Sequence, residues 1–217
     1  MALIRSAFQD ELDHVSQSLV DLTHMVSESI VKASKALLSA DLNLAEEVIA
    51  TDAKIDDYQH DLDTRIIDII ARQQPVASDL RALITALRMS ADLERMGDLS
   101  HHIAKVARLR HPNNAIPNDL ILAFTEMGYV AEKLSTKVAT VITTRDTDMA
   151  LQVEKDDDEM DDLHRKVIAG IISNGPGITI ESAIDLTLLG RYYERFADHA
   201  VAVARRVYFL VKGEFPQ

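Results

Sequence analysis

The 217-residue chain has no cysteine and no tryptophan, and only seven glycines and five prolines. The missing thiols exclude disulfides, thiolate catalysis and Cys-type zinc sites. Few Gly and Pro argue against a turn-rich β protein and for long helices. No window reaches the roughly 18–20 consecutive apolar residues of a membrane span. The opening Met-Ala-Leu-Ile-Arg-Ser-Ala-Phe has no apolar core of signal-peptide type. A bacterial-type cytoplasmic protein is the simplest reading. Positive charge is also in deficit, with 23 Lys and Arg against 35 Asp and Glu, a formal net charge of −12. Such a surface repels phosphate backbones, so no nucleic-acid partner is expected.

What is present is helical periodicity. An apolar content of 47% suits a folded chain. Apolar residues recur in steps of three and four and predict six long helices, at about 8–39, 42–73, 78–110, 119–144, 147–173 and 179–212. Leu12, Val15, Leu19, Leu22, Val26 and Ile30 form the stripe of the first. Leu186, Leu189, Tyr193, Phe196, Ala200, Val203 and Val207 form that of the last. Asp41 and Ser78 are candidate N-caps, and Pro75 ends the second helix. The turn-rich segment 111–118 (HPNNAIPN) is the natural boundary and is expected to be exposed; Asn174 to Gly177 is a second break. The expected fold is all-α: two tandem antiparallel three-helix bundles related by internal duplication, residues 1–110 and 119–217, each with its own core.

The duplication is legible in two blocks. Leu93 to Asp98 (LERMGD) and Tyr193 to Asp198 (YERFAD) share Glu-Arg-x-x-Asp at an offset of 100. Asp41 to Asp57 aligns without gaps on Asp146 to Asp162 at an offset of 105. Each half thereby carries two acid pairs with i,i+4 spacing: Asp52 with Asp56 and Glu94 with Asp98, then Asp157 with Asp161 and Glu194 with Asp198. Residues so spaced share a helix face, where like charges repel. At roughly 100° per residue, Glu94 and Asp98 lie about 100–140° from Leu93, beside the apolar stripe. Carboxylates converging from two neighbouring helices suit a divalent or trivalent cation such as Fe, Zn, Mn or Mg. One such pair is ordinarily a solvated face with arginine partners; four pairs in two matched copies favour metal. Arg95 and Arg195 are candidate partners for the acids. His101, His102 and His199 follow the motifs and could assist a metal, although a hydrogen-bonded or exposed histidine is the commoner role. The acid run 156–162 is by itself a solvated face, apart from Asp157 and Asp161.

Catalytic signatures are few. No Gly-rich phosphate loop, no G-x-G-x-x-G and no nucleophile with an identifiable base is present. Glu11-Leu-Asp-His14 has the Glu-x-x-His spacing of di-iron bundles, but such sites need two copies and two further glutamates. A carboxylate-bridged di-metal oxidase or phosphohydrolase is therefore the alternative to a non-enzymatic protein.

The segment Ile69 to Arg81 (IIARQQPVASDLR), Ala91 to Asp98 (ADLERMGD), the second Glu-Arg-x-x-Asp-His at 194–199 and the acidic blocks at 52–57 and 157–162 resemble the PhoU family, its actinobacterial PhoY-like members above all. The resemblance covers essentially the whole chain. It implies two three-helix bundles with metal clusters at the E/D-x-x-x-D motifs. It also implies a negative regulator of phosphate uptake and of the phosphate-starvation response, linking a phosphate ABC transporter ATPase to a sensor histidine kinase. A homodimer is one assembly to expect. The sequence departs from the pattern at Ala197, where the first copy has Gly97, at Leu99 against His199, and in lacking a second counterpart of Pro75 to Arg81. Equal metal occupancy of the halves is not implied.

Overall fold

The computed structural model describes residues 2–173 and 177–216. Six α-helices account for nearly all of them: α1 (Ala2–Ser39), α2 (Leu42–Gln73), α3 (Ala77–Arg110), α4 (Ile121–Thr144), α5 (Thr147–Ser173) and α6 (Ile180–Lys212). A 3-10 turn, Asn118–Leu120, leads into α4. Among the described residues there is no strand. Among the described residues no helix is long and apolar enough to cross a membrane. The expected break at Asn174 to Pro176 lies outside the described residues.

Local chemistry explains the helix ends. Asp41 Oδ1 accepts the Leu44 N–H at 3.0 Å, and Thr179 Oγ1 accepts that of Ser182 at 3.1 Å. Asp146 Oδ1 takes the N–H groups of Asp148 and Met149 at 2.9 and 3.0 Å. These side chains satisfy donors that a first helical turn leaves unpaired. Gln74 closes α2 in the left-handed region, and Pro75 follows it. Ser78 is not a cap: α3 starts one residue earlier, after Val76, and the Ser78 hydroxyl turns to Asp79.

Tight connections place sequential helices side by side. α1, α2 and α3 all pack against one another, as do α4, α5 and α6. Connections as short as Ala40-Asp41 between long packed helices make neighbours antiparallel. α1 also packs along α4 and α3 along α6, so the two triplets share a broad seam. The apolar interior is one connected cluster across that seam, not two separate cores. α1, α3, α4 and α6 each bury apolar residues on more than one side, which a helix of an isolated three-helix bundle has no reason to do. Fully buried Phe124 and Tyr193 pack with centroids 6.2 Å apart. Each such side chain contributes roughly 1.5–3 kcal/mol by leaving water.

Polar groups pin the seam. Tyr193 Oη donates to Ser34 Oγ at 2.8 Å, and Ser135 Oγ donates to Ser27 Oγ at 3.0 Å. Gly128 lets α4 approach α1: a Cβ there would stand 3.1 Å from Ser34. The 111–118 connection is not wholly exposed. Ala115 and Ile116 are buried in the core, and Asn114 Nδ2 donates to the Leu38 carbonyl at 2.9 Å. A polar-looking segment hides these two apolar residues because they plug the end of the seam.

Candidate metal centre

α2 and α3 carry the first acidic pairs on faces beside their apolar stripes, and packing brings those faces together. Asp52, Asp56 and Asp98 each present a donor atom, all within 4.8 Å of one another. Glu94 flanks them, one turn before Asp98. Arg95 holds the margin, with Nη1 donating to Asp98 Oδ2 at 2.7 Å and Nε 3.6 Å from Glu94. His101 Nδ1 is in hydrogen-bond contact with Asp52 Oδ2. Burial pushes the Asp56 carboxyl above its ordinary range, and Asp52, Asp98 and Asp57 push it further. Burial raises Glu94 too, assisted by Asp98.

The second half assembles Asp157, Asp161, Glu194 and Asp198 from α5 and α6, but less tightly. Among the described residues no three of its acids and histidines come within 4.8 Å. Burial, followed by the charges of Asp161, Asp198 and Glu194, lifts the Asp157 carboxyl from 3.8 to about 7. Burial also raises Glu194, against the pull of Arg191 and His164. Arg191, not Arg195, bonds Glu194. Asp156, expected to be solvated, is instead buried in ion pairs with Lys133 and Lys137 of α4. The two lysines one turn apart on α4 were the available signal.

Each half contains a histidine seven residues beyond the first acid of a pair. In α3 the series is Glu94, Asp98, His101; in α5 it is Asp157, Asp161, His164. Such i, i+4, i+7 spacing keeps all three on one face. His164 escaped the sequence reading, though the spacing would have found it. Gly190 makes its room: a Cβ there would stand 3.1 Å from His164 Cδ2. The duplication places Val201 opposite His101, so Asp157 has no imidazole where Asp52 has one.

The other candidate histidines serve the seam. His199 Nδ1 meets Asp92 Oδ1 at 3.1 Å, and Arg206 Nε donates to Asp92 Oδ2 at 2.8 Å. Burial acts to raise Asp92, but these two partners hold it below the usual carboxylate range. His102 stacks on Tyr192, centroids 5.2 Å apart, and burial beside Lys105 lowers its pKa. Glu11 forms ion pairs with Arg65 and Arg72 at 3.5 and 3.8 Å, and His14 is exposed, so the Glu-x-x-His pair is not a ligand set.

Within the chain, Asp52 Oδ1, His101 Nε2 and Glu194 Oε2 are buried with no hydrogen-bond partner. Leaving such an atom unsatisfied costs roughly 1–3 kcal/mol. A cation in the first half would satisfy Asp52 and His101 and one in the second half Glu194, and carboxylate oxygens with imidazole nitrogen form a donor set for Mg, Mn, Fe or Zn. The residues present therefore fit a metal. They offer binding and charge neutralisation.

The PhoU domain model matches twice, over residues 19–107 and 124–207. The Mycobacterium tuberculosis "Phosphate-specific transport system accessory protein PhoU homolog 2" is 42% identical over 98% of this chain and 100% of its own length. The Rhizobium meliloti PhoU homolog is 30% identical over 100% of this chain and 92% of its own. Among solved structures, PhoU from Streptococcus pneumoniae superposes with a TM-score of 0.87 at 26% identity, covering 97% of this chain and 99% of that one. PhoU from Pseudomonas aeruginosa gives 0.84 at 27% identity, covering 95% and 100%.

Proposed function

The chain belongs to the PhoU family, and from that premise we propose that it is an accessory protein of phosphate-specific transport, a negative regulator of phosphate uptake and of the starvation response. The observation that carries this reading is the full-length similarity to relatives described as accessory proteins of that system. In this reading the protein is a cytoplasmic adaptor, not an enzyme, between the ATPase of a phosphate transporter and a sensor histidine kinase. Its charge of −12 favours control through protein contacts over DNA contact. It contains two three-helix repeats, 1–110 and 119–217, joined at the seam.

The metal ligands in this proposal are Asp52, Asp56, Glu94 and Asp98, with His101, and then Asp157, Asp161, Glu194 and Asp198, with His164. A bound cation would supply positive charge that turns carboxylate repulsion into a bridge between helices. The side chains themselves orient it: Arg95 restrains Asp98, and His101 restrains Asp52.

The test is expression of starvation genes in a deletion strain at high phosphate. Derepression is expected. Unchanged expression, with no second copy of the gene to compensate, rejects the regulatory role.

A further inference from the structure

Both halves expose large apolar side chains at matching positions. In the first, Ile67 of α2 is 59% exposed, and Val76, Leu80 and Ile84 at the start of α3 are 74%, 37% and 41% exposed. In the second, Ile172 of α5 is 75% exposed, and Ile180, Ile184 and Leu188 of α6 are 83%, 55% and 41% exposed. The repeat offsets equate Ile67 with Ile172, Leu80 with Ile180 and Ile84 with Ile184. Single exposed apolar residues are ordinary, but a patch is not. Here three of the four exposed positions recur in both halves.

Helix geometry places each patch. Ile67 stands six residues before the end of α2, and Ile84 seven residues after the start of α3, so both lie roughly 9–10 Å from the connecting turn on adjacent antiparallel helices. Leu80 precedes Asp98 by 18 residues, about five whole turns, and Ile67 follows Asp56 by 11, about three. The patch and the acids therefore occupy one outer face, apolar near the turn and acidic further along. The spacings are identical from Ile180 to Asp198 and from Asp161 to Ile172.

We propose that each α2–α3 and α5–α6 face is a docking surface for an amphipathic helix of a partner protein. That helix is about four turns long, with large apolar residues at one end and Lys or Arg at the other. The apolar end covers the isoleucines and the basic end reaches the carboxylates when no metal holds them, so helix and cation compete for the same acids. Charge complementarity selects this occupant: a second copy of the chain would bring its own acids, and a net charge of −12, against the same face. An anionic lipid surface is repelled for the same reason. The duplication makes the chain bivalent, able to hold two such helices at once. This inference does not depend on the regulatory reading, since it concerns binding alone.

The probe is a fluorescent 16-residue synthetic helix with Leu at helical spacing in its first two turns and Lys in its last two. Binding to the full chain, stripped of metal by chelator, is followed by anisotropy at 0.15 M salt. Two sites are expected, at least tenfold tighter than for a scrambled peptide of the same composition. I67D with I84D is expected to remove one site, and I172D with I184D the other. These side chains are exposed, and circular dichroism checks the fold; where an Asp pair unfolds the chain, I67S with I84S and I172S with I184S replace it. Binding that is unchanged in the variants, or no better than that of the scrambled peptide, overturns the proposal. So does wild-type self-association, or adsorption to phosphatidylserine vesicles, that the same substitutions abolish.

Discussion

The two acidic faces carry the same carboxylates and different companions. In the first, His101 meets Asp52, Arg95 bridges Glu94 and Asp98, and three carboxylates already lie within 4.8 Å. In the second, Val201 replaces that histidine, Asp157 is pushed up to about 7, and Arg191 and His164 act on Glu194 instead. The imidazole has in effect moved from the third helix of one repeat to the second helix of the other. Identical acids in a duplicated chain therefore do not make identical sites. The cationic neighbours decide how much repulsion each cluster keeps, and so how strongly each calls for a proton or a metal.

Removing carboxylates tests the difference most strongly. Glu94→Ala with Asp98→Ala is expected to abolish metal in the first half, and Glu194→Ala with Asp198→Ala to remove the smaller share held by the second. Elemental analysis of protein purified without chelator measures both. Equal losses would erase the distinction between the halves, and no loss in either would return all eight acids to a solvated face.

Exchanging companions is the next test. His101→Val gives the first half the residue of the second and is expected to weaken its metal affinity roughly 10–100-fold, the usual effect of losing a group that orients a ligand. The reverse change, Val201→His, is expected to lower the Asp157 midpoint from about 7, read by NMR titration. A midpoint that does not move would show that an imidazole at position 201 does not offset the burial and carboxylate charges that raise Asp157.

The smallest effect is on stability. Asp157 is protonated in both folded and unfolded chains below its ordinary value of 3.8. As pH rises from there to about 7, the unfolded chain ionises first, so stability falls; above about 7 the loss is complete. Asp157→Asn should therefore stabilise chelator-treated protein at pH 8 by ~1–2 kcal/mol, discounted for partial exposure, and by almost nothing at pH 3.5. Asp52→Asn gives no comparable gain, because it gives up the His101 contact. Urea unfolding at both pH values decides; an equal gain from the two substitutions would contradict the contrast between the halves.

The helices and their buried sides are legible in the sequence alone. The apolar stripes of α1 and α6, all but Leu12, are residues that the core contains, and Asp41, Pro75 and the repeat mark helix ends and equivalent positions. These are local properties: 3.6-residue periodicity and capping depend on neighbours a few positions away. The eight acids were legible for the same reason, as i,i+4 pairs repeated at fixed offsets. Helix packing sets which companions those acids meet. His101 reaches Asp52 across 49 residues, His199 is claimed by Asp92 across 107, and Asp156 is buried by lysines of the preceding helix. It also joined the apolar stripes into one interior and drew Ala115 and Ile116 inside. Side chains so far apart in sequence leave no period in it, because their meeting is set by how whole helices pack rather than by any local preference.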